Sequence, residues 1–363
     1  MTRSFLLFAL LALLLAGFAL ADNPKVIHFG IASAGFGTPP RVNTGWLAVA
    51  QQGHYLEQEF QKDGIRIDWV FFKGQGPAVN EALANNQLDF SSLGDLPSVI
   101  GRSVGLDTRL ILVNGRGSQG YVATRPDSPI KRVEDLRGKR IAFNKGTASQ
   151  LFLDRVLAAH GMTEADIKGV NMTPSAYTAA FLAGEVDAIA GSLDILGLQQ
   201  RQLARVIYNS GDDARITAAG HIVVRQKFAA QYPELTQRVV KALLKAALWA
   251  SDPQNSNAVY ALWTQTGYQP ESVYRAEYAG VPLAERLSPV FDEYAIARDK
   301  QAVQDSLRFK LVRSGFDVNQ WVDQRYQQAA LKELKLEHHW RPLDANGKLV
   351  AGRRLDEGQI PHP

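Results

Sequence analysis

Short apolar and β-branched runs alternate with helical periodicities along the first 225 residues. The runs predict nine strands, at residues 25–31, 65–72, 88–93, 109–113, 121–124, 140–144, 169–172, 187–190 and 221–225. Helices are predicted between most of them, at residues 44–62, 77–84, 97–104, 149–160 and 175–183. Strand–helix alternation of this kind demands a mostly parallel sheet with right-handed crossovers. Because the alternation restarts at Tyr121, we expect two α/β lobes.

From Lys227 onward the pattern is helical, and Leu235–Trp249 carries a broad apolar face at helical spacing. A region without strands cannot build its own sheet, so we expect it to pack back on an earlier lobe. The predicted organisation is a discontinuous lobe I (22–115 and 220–335), a lobe II (116–219) and a loose tail (336–363).

The N-terminal segment is typical of a secretory signal peptide. Arg3 precedes the apolar run Phe5–Leu15, and Ala19-Leu20-Ala21 supplies a small-x-small cleavage site. We expect cleavage after Ala21 and export to a Gram-negative periplasm. The alternative is a membrane anchor, but Phe5–Ala21 counts 17 residues, at the lower limit for spanning.

Composition narrows the function classes. The chain of 363 residues has 46% apolar and 21% charged residues, which suits roughly two globular domains. It contains no cysteine, which excludes disulfides, a thiol nucleophile, Cys-ligated metals and a lipid-anchoring N-terminal cysteine. The net charge of +4 is slight, and no block of five or more Lys/Arg occurs, so nucleic-acid binding has little support.

Three glycine-bearing links follow predicted strands and precede predicted helices. They are residues 73–77, 93–97 and 145–149. Ligands of open α/β sheets bind at the carboxyl ends of strands, and the N–H groups of a helix start favour an anion. We therefore predict ligand contacts in these links from Gly74, Gln75, Gly76, Gly94, Asp95, Thr147, Ala148 and Ser149. Any single link could instead be ordinary loop structure, and Asp95 suits a helix cap.

Two further segments carry candidate groups. Arg116, between Gly115 and Gly117, lies where a hinge between the lobes is expected, and its guanidinium could meet an anion in the cleft or remain solvated. Gly35 and Phe36 follow the first strand, where a small residue admits a ligand and an aromatic ring could wall the cleft.

Catalytic and metal-binding patterns are absent from the sequence. The seven histidines include no H-E-x-x-H or H-x-H pair, and there is no G-x-S-x-G elbow and no phosphate-binding P-loop. The His338-His339 pair suits a solvated position. We expect no cofactor, no metal and no enzymatic activity.

Several motifs resemble those of a known family. They are Phe72-Lys73-Gly74-Gln75-Gly76-Pro77 with Glu81-Ala82-Leu83, Asp89-Phe90 with Gly94-Asp95-x-Pro97, and Ser128-Pro129-Ile130 with Asp135-Leu136-x-Gly138-Lys139 and Phe143-x-Lys145-Gly146-Thr147. With these, the chain resembles the periplasmic substrate-binding proteins of ABC importers, in the branch of sulfonate, taurine and nitrate binders.

The resemblance implies a type II binding-protein fold, with two α/β lobes that close on a ligand, and a monomer that serves a permease and an ATPase at the inner membrane. It favours a small organic anion, with an aliphatic sulfonate first. The family's Trp-Asp-Pro motif is replaced here by Gly191-Ser192-Leu193-Asp194-Ile195, which makes Ser192 and Asp194 candidates for the ligand wall. Nitrate or another non-sulfur ligand, a sensor partner, and an enzyme on the same fold remain alternatives.

Overall fold

The computed structural model describes residues 23–350, apart from residue 214 and the side chain of residue 212. The predicted signal peptide, its cleavage site and the end of the predicted tail lie outside these residues. The strands are β1 (Val26–Ile31), β2 (Arg66–Phe71), β3 (Phe90–Gly94), β4 (Thr108–Val113), β5 (Tyr121–Thr124), β6 (Arg140–Phe143), β7 (Lys168–Asn171), β8 (Ala188–Gly191), β9 (Arg205–Asn209) and β10 (Gly220–Arg225).

The helices cover both faces of the sheets and fill the C-terminal third. They are α1 (Gly45–Gln52), α2 (Tyr55–Phe60), α3 (Gln75–Ala84), α4 (Asp95–Ser103), α5 (Ala148–Ala159), α6 (Pro174–Leu182), α7 (Leu193–Gln200), α8 (Gln226–Gln231), α9 (Pro233–Ser251), α10 (Ser256–Thr264), α11 (Glu271–Glu277), α12 (Leu283–Arg286), α13 (Glu293–Arg308), α14 (Val318–Trp321) and α15 (Arg325–Leu334). Within the described residues, none of these helices has the length and apolarity to cross a membrane.

Two five-stranded sheets share one topology, which confirms the predicted two-lobed α/β fold. Their strand orders are β2-β1-β3-β10-β4 and β7-β6-β8-β5-β9. In each sheet the first three strands pair in parallel, and the fourth, β10 or β5, is antiparallel to both neighbours. The sheets are therefore mixed, because the strand that enters from the other lobe runs in the opposite direction.

The C-terminal helices pack on the lobe of the first sheet, as we expected from the absence of strand patterns in this region. The apolar face of α9 contributes Val239, Leu243 and Ala247 to a core that includes Trp46 of α1 and Trp263 of α10. These side chains are completely or almost completely buried. Burial of aromatic rings against a long amphipathic helix therefore joins the end of the chain to its beginning.

The prediction of a loose tail is wrong for residues 336–350. Trp340 is only 5% exposed, and its indole N–H donates to the Ser251 hydroxyl at 3.0 Å. The Leu343 N–H donates to the Asp292 carboxylate at 2.8 Å. The mostly polar composition of this segment gave no indication that Trp340 is buried and holds the segment against the first lobe.

Two elements of the second lobe escaped prediction. Helix α7 and strand β9 occupy residues 193–209, for which neither had been expected. Every residue of β9 is exposed or half-buried, because β9 is an edge strand. Near the end of the helical C-terminal region, residues 318–334 form two helices, α14 and α15, with a break at residues 322–324.

The two lobes are joined by paired crossing segments, residues 114–120 and 210–220. The Asn114 N–H donates to the Gly220 carbonyl at 2.7 Å, and Ser118 and Ala218 exchange backbone hydrogen bonds at 3.1 and 3.0 Å. Gly115 and Gly117 have positive φ angles of 112° and 62°, which other residues rarely adopt. The predicted hinge glycines therefore lie in one of two crossings that are bonded to each other.

Candidate ligand-binding cleft

A cavity of about 330 Å³ lies between the lobes, in front of the crossing segments. Its wall combines residues of the first sheet's lobe, such as Thr44 and Ser92, with Ser149 and Ser192 of the second. Ala218 and Gly220 of a crossing segment also border it. The cavity is thus built from both lobes, and it is called the cleft cavity below.

Four helices begin at the cleft cavity. Gly45 opens α1, Gly94 precedes α4, Ala148 opens α5 and Ser192 precedes α7, and all four residues border the cavity. The first N–H groups of a helix have no partner within the helix, and the helix dipole adds partial positive charge there. Convergence of several helix starts makes this cavity suitable for an anion.

Three serine hydroxyls from the second lobe's side add hydrogen-bond donors. Ser118, Ser149 and Ser192 border the cavity. Their hydroxyls have no hydrogen-bond partner among the described residues, whereas most polar side chains around them are already paired. Each hydroxyl can donate one hydrogen bond. A crossing segment and the second lobe therefore present three hydroxyl donors without a described partner to whatever enters the cavity.

The first lobe's polar groups are held in place by one another. The Asn114 amide donates to the Ser92 hydroxyl at 2.7 Å. The hydroxyls of Thr44 and Tyr278 lie 3.1 Å apart. Burial raises the pKa of the Tyr278 phenol, so the phenol remains neutral at physiological pH. These four side chains form a neutral, hydrogen-bonded part of the cavity wall.

Arg286 is a buried guanidinium that borders the cavity and, like Arg116, has an Nε without a partner among the described residues. Arg286 donates to the Glu277 carboxylate at 3.0 Å and to its carbonyl at 3.2 Å. The Nε of Arg286 has no partner, and the guanidinium lies 4.8 Å from the centroid of the Tyr278 ring. Glu277 also accepts from the Tyr121 hydroxyl of the other lobe at 2.6 Å. Glu277 thus links the lobes beside the ligand space.

Burial is the main influence on this carboxylate, and it raises the pKa of Glu277. The hydrogen bonds from Tyr121 and Arg286 oppose that rise because they stabilise the charged form. The phenol of Tyr121 has a strongly raised pKa, through burial first and then the Glu277 charge. The network is therefore one carboxylate that accepts hydrogen bonds from both a neutral phenol and a guanidinium.

Apolar side chains complete the cavity. Trp46 of α1, Phe152 of α5 and Leu287 after α12 all border it. The cavity therefore pairs polar helix starts with apolar walls, an arrangement that suits a small molecule with an anionic head and a carbon tail.

Five of the predicted site residues border the cleft cavity: Gly94, Arg116, Ala148, Ser149 and Ser192. Arg116, however, does not point a free guanidinium at the ligand space. It forms an ion pair with Asp292 at 2.9 Å, where the side chains are 7% and 2% exposed, and it donates to the Val290 carbonyl at 3.1 Å. Its charge is compensated by Asp292 within the first lobe.

Four predicted residues of the glycine links do not border the cleft cavity: Gly74, Gln75, Gly76 and Thr147. The Asn144 amide donates to the Gln75 side chain at 2.9 Å across the two lobes. A Cβ on Gly76 would lie 2.4 Å from the Cβ of Pro97, so this glycine allows the first turn of α4 to approach closely. The Thr147 hydroxyl donates to the Asn144 carbonyl at 2.7 Å and so faces its own loop.

The remaining predicted residues also lie away from the cavity: Gly35, Phe36, Asp95 and Asp194. Phe36 packs against Tyr268 with ring centroids 4.0 Å apart, and a Cβ on Gly35 would lie 2.6 Å from the Cβ of Pro40. Asp95 accepts from the Leu96 N–H at 2.8 Å, but it is the first residue of α4 and Gly94 takes the cap position, so the predicted cap role of Asp95 is wrong. Asp194 accepts from the Tyr177 hydroxyl at 2.5 Å, and burial raises the pKa of its carboxyl.

Sequence reasoning missed several residues of the wall, including Thr44, Asn114, Ser118, Tyr278 and Arg286. Thr44 and Ser118 carried a usable signal, because Thr44 precedes a helix and Ser118 adjoins the predicted hinge. Tyr278 and Arg286 lie in the C-terminal helices, and no local pattern indicates that these reach the cleft. Among the described residues, no three His, Asp or Glu side chains gather as metal ligands.

Residues 43–256 match the model of a family described as NMT1/THI5 like. A protein of Bacillus subtilis (strain 168) that bears the name of an aliphatic sulfonates-binding protein is 25% identical over 79% of this chain and 85% of its own.

Solved structures give the same relationship. The periplasmic sulfonate-binding protein of a sulfonate ABC transporter from Methylobacillus flagellatus KT has a TM-score of 0.75 and 29% identity, over 89% of this chain and 99% of that chain. The alkanesulfonate-binding protein of Xanthomonas axonopodis pv. citri, bound to MOPS, has a TM-score of 0.71 and 25% identity, over 84% of this chain and all of that one.

An enzyme shares part of the similarity. The 2'-hydroxybiphenyl-2-sulfinate desulfinase of Rhodococcus erythropolis is 30% identical over 44% of this chain and 43% of its own. The match covers less than half of each of the two proteins. It therefore supports a common fold rather than a common reaction.

Proposed function

Because this chain belongs to the NMT1/THI5-like family, we propose that it is the exported solute-binding component of an ABC importer. It captures a small organic anion, an aliphatic sulfonate or a related organosulfur compound, in the cleft cavity and delivers it to a permease. The observation that carries this proposal is the convergence of four helix starts and three unpaired serine hydroxyls on one cavity. The names of the relatives support the choice of ligand.

A sulfonate head fits this arrangement chemically. It carries one negative charge spread over three oxygens, each of which accepts hydrogen bonds from N–H or hydroxyl donors. The charge would meet the helix starts and the Nε of Arg286, and the carbon tail would lie against Trp46 and Phe152. A volume of about 330 Å³ is near the lower end of ligand pockets, which favours a small ligand.

Binding rather than catalysis is favoured by the wall itself. Of the residues that line the cleft cavity, only Arg116, Tyr278 and Arg286 are ionisable. A general base needs a titratable group near physiological pH within hydrogen-bond reach of its substrate. Neither arginines nor a phenol with a raised pKa suits that role. The complete absence of cysteine agrees with this view.

Titration calorimetry with matched ligands tests the proposal. Hexanesulfonate, taurine, sulfate and nitrate are compared with hexanoate, which has the same tail and a planar head. We expect hexanesulfonate to bind at least roughly tenfold more tightly than hexanoate, since one additional good hydrogen bond to a charged group accounts for such a factor. Native mass spectrometry of undialysed protein provides an independent view of any retained ligand.

Two results would contradict parts of the proposal. If nitrate bound more tightly than every sulfonate, the cavity would belong to a non-sulfur ligand. If none of these anions bound or caused lobe closure in small-angle scattering, the anion itself would be wrong. A role as a sensor partner is distinguished by the neighbouring genes, because an importer predicts an adjacent permease and ATPase.

A further inference from the structure

A second, larger cavity lies on the opposite side of the crossing segments from the cleft. A small gap bordered by Gly115, Arg116 and Ala218 on one side reaches Tyr294 and Arg298 on the other. The first three residues also border the cleft cavity, and the last two border a cavity of about 730 Å³. This rear cavity is walled by α5 and residues 213–216 of one lobe, by α13 of the other, and by Asn346 of the C-terminal segment.

Four arginines line the rear cavity against two described carboxylates. Arg155 pairs with Asp305 at 2.8 Å, and Arg215 pairs with Asp213 at 2.8 Å. The two other arginines, Arg298 and Arg308, have no carboxylate within 4.0 Å among the described residues. The described wall therefore has two arginines without a carboxylate partner, while Asp95, which is not part of the wall, also pairs with Arg155 at 3.5 Å.

Arg298 lies where an uncompensated positive charge is unfavourable in free energy. Its Nη2 donates only to carbonyls, to that of Arg215 at 2.7 Å and that of Thr217 at 3.0 Å. Burial and the neighbouring positive charge of Arg155 lower the pKa of the Arg298 guanidinium. A cation in such surroundings gains more from a bound anion than a solvated arginine does.

Arg155 supplies a second observation of the same kind. Its side chain is only 5% exposed, and it borders the rear cavity. Its Nε is taken by Asp305 and its Nη1 by Asp95 and the Thr217 carbonyl, at 3.5 and 3.4 Å. Its Nη2 is buried without any partner. A buried charged donor without an acceptor is unfavourable unless a ligand satisfies it.

We propose that the rear cavity is a second anion site, distinct from the cleft, that binds a small multiply charged oxyanion of the phosphate class between Arg298 and Arg308. Planar guanidinium forks match phosphate oxygens in pairs, and two arginines without a carboxylate partner suit an ion that carries at least two negative charges. A singly charged sulfonate would leave one of these charges without compensation.

Inorganic pyrophosphate is the probe, titrated calorimetrically into the full mature protein at low ionic strength. Arg308→Gln removes an exposed guanidinium, so the fold is retained and binding is expected to weaken by roughly tenfold. Arg298→Gln is expected to weaken it at least as much. The matched control is Arg313→Gln, an exposed arginine that follows α13 and does not line the cavity. It should leave pyrophosphate binding unchanged.

The cleft provides the control for location. Ser149→Ala should leave pyrophosphate binding unchanged, and Arg308→Gln should leave alkanesulfonate binding unchanged. The proposal is overturned if the wild-type protein does not bind pyrophosphate at millimolar concentration. It is equally overturned if Arg313→Gln weakens binding as much as Arg308→Gln, or if Ser149→Ala abolishes it. None of these outcomes depends on whether the cleft takes a sulfonate.

Discussion

Ser149 and Thr147 stand two residues apart at the start of α5, yet only one of their hydroxyls is available to a ligand. Ser149 borders the cleft cavity and its hydroxyl has no partner in the part of the chain that the structure describes, whereas the Thr147 hydroxyl donates to the Asn144 carbonyl. The sequence alone treated them alike, because both are hydroxyl residues at a helix start. The direction in which each side chain leaves the turn separates their roles.

This difference predicts opposite effects of two similar substitutions. Ser149→Ala should weaken anion binding by about 1 kcal/mol, the usual net value of one hydrogen bond, with unchanged stability. Thr147→Val should lower stability by about 1 kcal/mol and leave affinity nearly unchanged. Calorimetry and urea denaturation measure the two quantities. Equal losses of affinity in both variants would show that the loop itself carries the ligand.

Asp154 of α5 is a buried carboxyl whose Oδ2 has no partner. The pKa of Asp154 is raised to about 8, mainly by burial and further by the neighbouring Glu164. Glu164 itself pairs with Lys145 at 2.9 Å. A carboxyl that is more easily protonated in the folded state than in the unfolded state stabilises the fold at low pH and ceases to do so as the pH rises.

The free energy of unfolding should therefore fall as the pH rises from about 4, the ordinary aspartate pKa, to about 8. Asp154→Asn should flatten this decline by roughly 1 kcal/mol or more, since one pKa unit corresponds to about 1.4 kcal/mol. Asp127→Asn, at a side chain that is 87% exposed, serves as the control. Urea denaturation at several pH values gives the curves, and identical slopes in wild type and Asp154→Asn would refute the assignment.

At the scale of elements, α5 connects the two lobes through one arginine. Arg155 reaches Asp95 at the start of α4 and Asp305 on α13, and its Nη1 also lies 3.4 Å from the Thr217 carbonyl of a crossing segment. The three charged side chains are nearly inaccessible to solvent. Helices from both lobes are thus fixed relative to one another by a buried charge.

Removal of that charge leaves two buried carboxylates without compensation. Arg155→Met should therefore lower the free energy of unfolding by about 3–5 kcal/mol, and the triple variant that adds Asp95→Asn and Asp305→Asn should recover much of it. The surface substitution Arg137→Met is the comparison, with an expected loss of about 0–1 kcal/mol. Denaturant unfolding checks all three, and a loss in Arg155→Met no larger than in Arg137→Met would remove the connecting role.

The elements were predictable where local pattern decides them. Strands β1 to β4 and helices α3, α4 and α5 follow from apolar alternation, proline at a helix start and glycine links. Strand β9 was missed because it is a half-buried edge strand, and Arg286 was missed because its place in the cleft depends on how distant helices pack. The glycine links were recognised, but their contact with the opposite lobe is a tertiary property that spacing does not encode.

The whole molecule contains two sheets with one topology, and each receives a strand from beyond the crossing segments. The second sheet consists of strands that are consecutive in sequence, β5 to β9. The first sheet needs β10, which lies between β3 and β4 and comes after all of the second sheet. Residues from both parts of the chain must therefore be present before the first sheet can close.

That strand order has a consequence for the order of events as the chain emerges during synthesis or export. β4 ends at Val113 and β10 begins at Gly220, an interval that takes of order 5–20 s at about 5–20 residues per second. During this time the facing edges of β3 and β4 lack their partner, and unpaired strand edges are prone to aggregate. The second lobe has all its strands and can mature first.

Pulse-labelling hydrogen exchange during refolding of the full chain tests this sequence of events. Amides of β5, β6 and β8 should gain protection before those of β3 and β4, and β10 should become protected together with the latter. Simultaneous protection of both sheets would mean that the chain folds as one unit. If the expected order holds, the newly made chain has a vulnerable interval that ends only when β10 inserts, which makes that stretch the natural target for a holding chaperone.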